Sequence, residues 1–172
     1  MPARIRAGRR QDGAALQEIE RWAGERFRAV GLDRVADDEP LSLALLGRYA
    51  DIGRCWVAVD SDDQPVGYAI VDVVDGAAHI EQISVRPDLQ GSGIGRALID
   101  RVRAWAAANG CSAITLSTFA DVEWNGPLYA HLGFAAIPEG DIGPELRALR
   151  AAEARHGLDP ARRVCMRIDL EP

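Results

Sequence analysis

Ile83-Ser84-Val85-Arg86-Pro87-Asp88-Leu89-Gln90-Gly91-Ser92-Gly93-Ile94-Gly95 carries the end of an extended segment through a glycine-rich turn into a helix. The residues in front of the turn, 78–85, have the apolar, β-branched composition of a buried or half-buried strand. Behind it, Ile94, Leu98, Val102 and Trp105 recur at helical spacing with Ala97 beside them, while Arg96, Asp100 and Arg103 take the opposite face. Asn109-Gly110 supplies the stop. A helix that starts in glycines presents backbone N–H groups with no side chains in the way, which is how proteins cradle phosphate oxygens.

Two common phosphate loops are excluded by spacing. A Walker-type loop ends in Gly-Lys-Ser/Thr, and the chain has no lysine: all 20 of its basic residues are arginine. A dinucleotide fingerprint needs G-x-G-x-x-G, but the third position falls on Arg96 when counted from Gly91 and on Leu98 when counted from Gly93. Gln90-Gly91-Ser92-Gly93-Ile94-Gly95 instead fits Q/R-x-x-G-x-G/A. A second block, Trp124-Asn125-Gly126-Pro127-Leu128-Tyr129-Ala130-His131-Leu132-Gly133-Phe134, contains Leu-Tyr-x-x-x-Gly-Phe. With these two blocks in this order, the chain resembles the GNAT superfamily of acyl-CoA-dependent N-acetyltransferases. The resemblance extends loosely from Arg4-Ile5-Arg6 to Arg167-Ile168-Asp169-Leu170.

Length and composition agree with one soluble domain, expected over residues 3–172. Hydrophobic residues make up 48% and charged residues 27% of 172 residues. No run of 18 apolar residues and no apolar N-terminal stretch is present, so neither a membrane span nor a signal peptide is expected and a cytoplasmic location is the default. A net charge of −6 argues against nucleic acid as a partner and is compatible with amine substrates. Cys55, Cys111 and Cys165 are odd in number, widely spaced and set in apolar segments, and read as buried free thiols. His79, His131 and His156 do not cluster with cysteines at ligand spacing, so no metal is expected.

Strand signals fall at 3–7, 55–60, 66–74, 79–85, 113–119, 134–137 and 164–170. Helical patterns cover 12–30, 41–50, 93–109, 123–132 and 143–156, with Asp12 expected to cap the first and Pro144 to occupy the first position of the last. Ser61-Asp62-Asp63-Gln64-Pro65 and Asp75-Gly76 read as turns. That order is α+β. The resemblance sharpens it to a GNAT-like three-layer fold with a mixed, mostly antiparallel seven-stranded sheet and flanking helices.

The resemblance also implies a site for acetyl-CoA as co-substrate. The backbone N–H groups of Gly91, Gly93, Gly95 and Arg96 would take the pyrophosphate, with Gln90 and Ser92 shaping the turn, Ile94 opening the helix, and the Arg96 side chain either on a phosphate or in solvent. Main-chain groups of Ile83 and Val85, flanking Ser84, would pair with the pantetheine arm in the manner of strand addition. Tyr129 is the general acid that the resemblance implies, protonating the leaving thiolate. Relatives often carry an asparagine seven residues before this tyrosine. Here that position is Val122, and Asn125 either replaces the cofactor contact or caps the short helix.

Glu81 occupies a position where many relatives carry an acid. It either accepts the amine proton through water, pairs with the ammonium, or bonds a neighbouring strand; His79, two residues away on the same strand face, is the second choice as base. The acidic run Asp33, Asp37, Asp38 and Glu39, with Trp22 and Phe27 nearby, reads either as a solvated loop or as part of the acceptor site. The function expected is direct acetyl transfer to the primary amine of a small molecule. The alternatives are a protein or peptide N-acetyltransferase and a non-catalytic acyl-CoA-binding sensor. A homodimer is expected from the resemblance alone, without nucleic-acid or membrane partners.

Overall fold

Seven apolar, β-branched segments form one seven-stranded sheet in the computed structural model, which describes residues 3–171; Pro172, the last residue of the expected domain, lies outside it. The strands are β1 (Arg4–Ala7), β2 (Cys55–Val59), β3 (Pro65–Val74), β4 (Ala77–Val85), β5 (Ala113–Phe119), β6 (Ala135–Ala136) and β7 (Arg163–Asp169), in the order β1-β2-β3-β4-β5-β7-β6. The β4–β5 pair is parallel, while β1–β2, β2–β3, β5–β7 and β6–β7 are antiparallel. The helices are α1 (Gly13–Glu25), α2 (Asp33–Ala36), α3 (Leu43–Asp51), α4 (Ile94–Ala108), α5 (Gly126–His131) and α6 (Pro144–Arg155). The expected α+β fold class is the one observed. The short α2 was not anticipated, and the 12–30 pattern resolves into α1 flanked by two 3-10 turns. Two compact units divide the described residues: 3–71 with 81–102, and 72–80 with 103–171.

In the first unit, α1 and α3 bury an apolar stripe on β2 and β3. Leu16, Ile19, Leu46, Val57, Val59, Tyr68 and Ile70 form its core. Asp12 does not cap α1, contrary to the sequence expectation. Its carboxylate turns back to accept the Arg9 N–H at 2.7 Å and both terminal nitrogens of Arg6 at 2.8 and 2.9 Å. The Asp12 and Arg6 side chains are only 5% and 9% exposed. Burial pushes the Asp12 carboxyl up, but the bonds from Arg6 and Arg9 outweigh it and leave the group below the usual carboxylate range. The hairpin residue Asp63 adds a second carboxylate to Arg6 at 3.1 Å and to Arg9 at 3.1 Å.

In the second unit, Asp75 and Gly76 both take the left-handed region (φ 49° and 76°), making the tight β3–β4 turn that Asp-Gly favours. The Asp75 carboxylate then accepts the Glu145 N–H at 3.1 Å and the Leu146 N–H at 2.9 Å, capping α6 from outside its own sequence. Pro144 stands in the first turn of α6, as its spacing predicted. Val74, Ile142, Leu146 and Cys165 pack under this clamp. Of the cysteines, all are free; Cys55 and Cys165 are buried and Cys111 is half-buried. Burial pushes the Cys55 thiol up to about 12.

A Cβ added at Gly143 would lie 2.4 Å from an Asp75 carboxylate oxygen. Gly143→Ala is therefore expected to lower stability by about 1–3 kcal/mol in urea unfolding. Removing one member of the buried pair, Asp12→Ala, is expected to cost about 3 kcal/mol or more. Because the Asp12 carboxyl is depressed in the folded state, its contribution is present above the unfolded-state value and is lost as pH falls through the folded one. The acid-unfolding midpoint of the wild type should consequently lie below that of a variant with the same core but no Asp12.

Candidate functional site

After β4 the chain passes a 3-10 turn at Pro87–Leu89 and enters the glycine loop. Gly91 and Gly93 have φ of 80° and 89°, a region that side chains resist, and no atom lies within 4 Å of where a Cβ would stand at either. Gly95 would meet only a Val85 methyl, at 4.0 Å. Residue identity here is thus dictated by backbone conformation and by an open approach rather than by packing. Ala97 N–H donates to Gly93 C=O, so the N–H groups of Ile94, Gly95 and Arg96 precede the first intrahelical bond of α4. These donors, the helix dipole and the clear space above them fit a phosphate group.

The loop is braced from below. The Gln90 side chain donates to Val85 C=O at 3.3 Å and accepts from the Arg26 guanidinium, while the Ser92 hydroxyl donates to Leu89 C=O. Gln90 and Ser92 therefore shape the turn with their side chains. Ser84 is buried and takes a hydrogen bond from Gln82 at 2.9 Å, whereas Ile83 and Val85 are half-buried. Arg96 is exposed and makes no ion pair among the described residues, so its charge is available to an anion. Arg26 was not singled out from the sequence. It lies in the 3-10 turn that follows α1, and position alone gives no sign that it reaches Gln90.

In the second unit, the Leu-Tyr-x-x-x-Gly-Phe block forms one structural piece. Gly133 takes φ 100°, and the Phe134 N–H donates back to Tyr129 C=O at 3.0 Å. The buried Phe134 ring meets the Tyr129 ring edge-on, with centroids 5.9 Å apart and planes at 72°. Burial pushes the Tyr129 phenol up to about 12. Tyr129 therefore keeps its proton throughout the neutral range.

Asn125 stands at the start of α5 but makes no side-chain cap there. Its Oδ1 accepts from the Thr118 hydroxyl at 2.8 Å and from the Phe119 N–H at 3.4 Å, tying the start of α5 to the end of β5. That replaces the capping alternative read from the sequence. His79 is buried, with Nδ1 2.9 Å from the Thr115 hydroxyl, and burial pushes its pKa below the ordinary imidazole value. Glu81 is exposed, as is His131. Asp37 pairs with Arg28, and Asp33, Asp38 and Glu39 are exposed, in keeping with a solvated segment.

The first unit also holds a carboxylate that the sequence reading passed over. Glu20 of α1 is half-buried and accepts the Tyr68 O–H at 2.8 Å and the Leu41 N–H at 3.4 Å, both on Oε2. Burial pushes its carboxyl above the usual range, against the bonds from Tyr68 and Leu41; Arg21 opposes the rise and Asp38 adds to it. A signal was present in the sequence: Glu20 adjoins Leu16 and Ile19 on the apolar stripe of the helix, where a charge is out of place.

Residues 15–134 match the model of the acetyltransferase (GNAT) family. The chain is 38% identical over 84 residues to an aminoglycoside N(6')-acetyltransferase type 1 of Stenotrophomonas maltophilia, covering 43% of this chain and 54% of that protein. It is 35% identical over 51 residues to the peptidyl-lysine N-acetyltransferase YjaB of Escherichia coli (strain K12), covering 30% of this chain and 32% of that protein. The matches thus span about a third to a half of the length of these relatives. Among solved structures, the PaiA N-acetyltransferase of Thermoplasma acidophilum in complex with coenzyme A has the same fold, with a TM-score of 0.72 at 14% identity over 99% of this chain and 100% of that one. With its family model matched over more than half its length, the chain belongs to the acetyltransferase (GNAT) family.

Proposed function

We propose that this chain is an acetyl-CoA-dependent N-acetyltransferase, working as a single domain over residues 3–172, that transfers acetyl directly to the primary amine of a small molecule. The observation that carries the reading is the loop Gln90–Gly95. Its left-handed glycines, open approach and first-turn N–H groups form a phosphate cradle in a chain of this family. Bound acetyl-CoA supplies an acyl thioester, whose carbonyl carbon is open to attack by a neutral amine.

Each residue then has a limited task. Gly91, Gly93, Gly95 and Arg96 bind the pyrophosphate through backbone N–H groups, and the Arg96 guanidinium adds a charge. The main chain of Ile83 and Val85, on either side of Ser84, aligns the pantetheine arm, and Asn125 holds the start of α5 in register with β5. Glu81, exposed on β4, draws the ammonium and accepts its proton through water. Tyr129 donates the proton of its Oη to the departing sulfur. The gain is mainly one of positioning, with proton transfer at two sites.

A small cationic amine is the acceptor we favour, supported by the exposed Glu81, the net charge of −6 and the aminoglycoside-acetylating relative. The relative that acts on peptidyl-lysine makes peptides the comparison to run beside it. Among the described residues, no helix is long and apolar enough to cross a membrane.

Thiol release from acetyl-CoA against amines, aminoglycosides, amino acids and lysine peptides tests the reading. Turnover is expected with one amine class, and Tyr129→Phe is expected to lower kcat by roughly 100-fold or more without weakening acetyl-CoA binding. Tight binding with no turnover on any acceptor would instead indicate the sensor. Because the phenol is raised to about 12, a difference titration of wild type against Tyr129→Phe should find no phenolate from this residue at pH ~10, where a solvated tyrosine is half-ionised.

A further inference from the structure

We propose that Arg26 is a positioning residue for the cofactor: by fixing the sense of the Gln90 side-chain amide, it holds the glycine loop where the N–H groups at the start of α4 meet the phosphates. The inference rests on the acetyltransferase reading above. Arg26 ends α1 and opens the 3-10 turn Arg26–Val30, 64 residues before Gln90 in sequence. Its guanidinium donates to Gln90 Oε1, and both residues are half-buried.

The loop has few other holds. Gly91, Ser92 and Gly93 are exposed, and no atom lies within 4 Å of where a Cβ would stand on either glycine. Ser92 bonds back to Leu89 through its N–H at 3.3 Å and through its hydroxyl, both inside the turn itself. At the helix end the turn is anchored by Ile94, which is buried beside Gly67 of β3. At the strand end the anchor is polar, and it is the Gln90 amide. Among the described residues, Arg26 is the one side chain from outside 85–97 that hydrogen-bonds to residues 90–93.

The chemistry of the pair makes this contact directional. A guanidinium carries five N–H donors and no acceptor, so it meets only the oxygen end of an amide. Gln90 must then turn Nε2 the other way, where it donates to Val85 C=O at 3.3 Å. Without Arg26 the amide is free to rotate by half a turn. The rotated form sets Oε1 against the Val85 carbonyl, two acceptors face to face, and loses the tether between the loop and the last residue of β4. Arg26 thereby selects the one amide orientation that ties the phosphate loop to its strand. It acts through Gln90, and no covalent bond changes.

Calorimetric titration with acetyl-CoA and with S-acetylpantetheine, which carries a thioester arm but no phosphate, tests the assignment. Arg26→Ala is expected to weaken acetyl-CoA binding by roughly tenfold, the worth of one hydrogen bond to a charged group, and to leave S-acetylpantetheine binding and Tm unchanged. Arg26→Lys keeps a head that only donates and is expected to hold acetyl-CoA affinity within about threefold of wild type. In a Gln90→Ala background, Arg26→Ala should cost nothing further, because both changes remove the same tether. Unchanged acetyl-CoA affinity in Arg26→Ala overturns the proposal. So do losses from the two substitutions that simply add, and so does an equal loss for both ligands, which would mark Arg26 as a general support of the fold. A wild type that does not bind acetyl-CoA sinks the acetyltransferase reading itself, and this inference with it.

Discussion

A helix begins with N–H groups that its own backbone cannot satisfy, and the functional reading of this chain depends on how those of α4 are presented. Two residues in the left-handed region, Gly91 and Gly93, turn the chain so that α4 starts in the open, with no side chain above the loop. Any residue with a Cβ would pay for that conformation twice, in backbone strain and in obstructed approach. Beneath the loop the constraints reverse. Gln90 binds Val85 C=O and Arg26, and Ser92 binds Leu89 C=O, so the turn is braced by side-chain hydrogen bonds. Rigidity below and exposure above are what preorganised anion binding requires.

In the second unit, the Tyr129 phenol is held by its own segment. Gly133 reverses the chain after α5, Phe134 returns its N–H to Tyr129 and its ring supports the Tyr129 ring. Removal from water then raises the phenol, with Arg163 pulling weakly the other way. Gly133 and Phe134 thus fix the position of the Tyr129 ring.

Much of this was legible in the residues themselves. Glycine spacing, the apolar composition of the strand segments and the Asp-Gly turn report local backbone physics, and the structure returned them nearly unchanged: β5 at Ala113–Phe119, α6 opening at Pro144, and the left-handed pair at Asp75 and Gly76. What escaped was long-range pairing. Asp12 has the composition of an N-cap, but a buried Arg6 six residues earlier outbids the helix for its carboxylate. Asn125 likewise has the composition of a cap and is drawn instead to Thr118 on β5. The cap of α6 comes from Asp75, seventy residues away in sequence, at a distance that no local pattern encodes. Glu20 is an anomaly visible on the apolar stripe of its helix, but its partner Tyr68, 48 residues on, is not legible from either position alone.

The central claim is that acetyl-CoA is held at the start of α4, and amide chemical shifts read that directly. Titration of the isotope-labelled protein with acetyl-CoA should move the N–H resonances of Gly91, Gly93, Gly95 and Arg96 among the most strongly of any in the chain, saturably and with a downfield change expected of new hydrogen bonds to phosphate. Saturable binding that leaves those four amides unmoved would place the cofactor elsewhere and contradict the account. Absence of binding would contradict it outright.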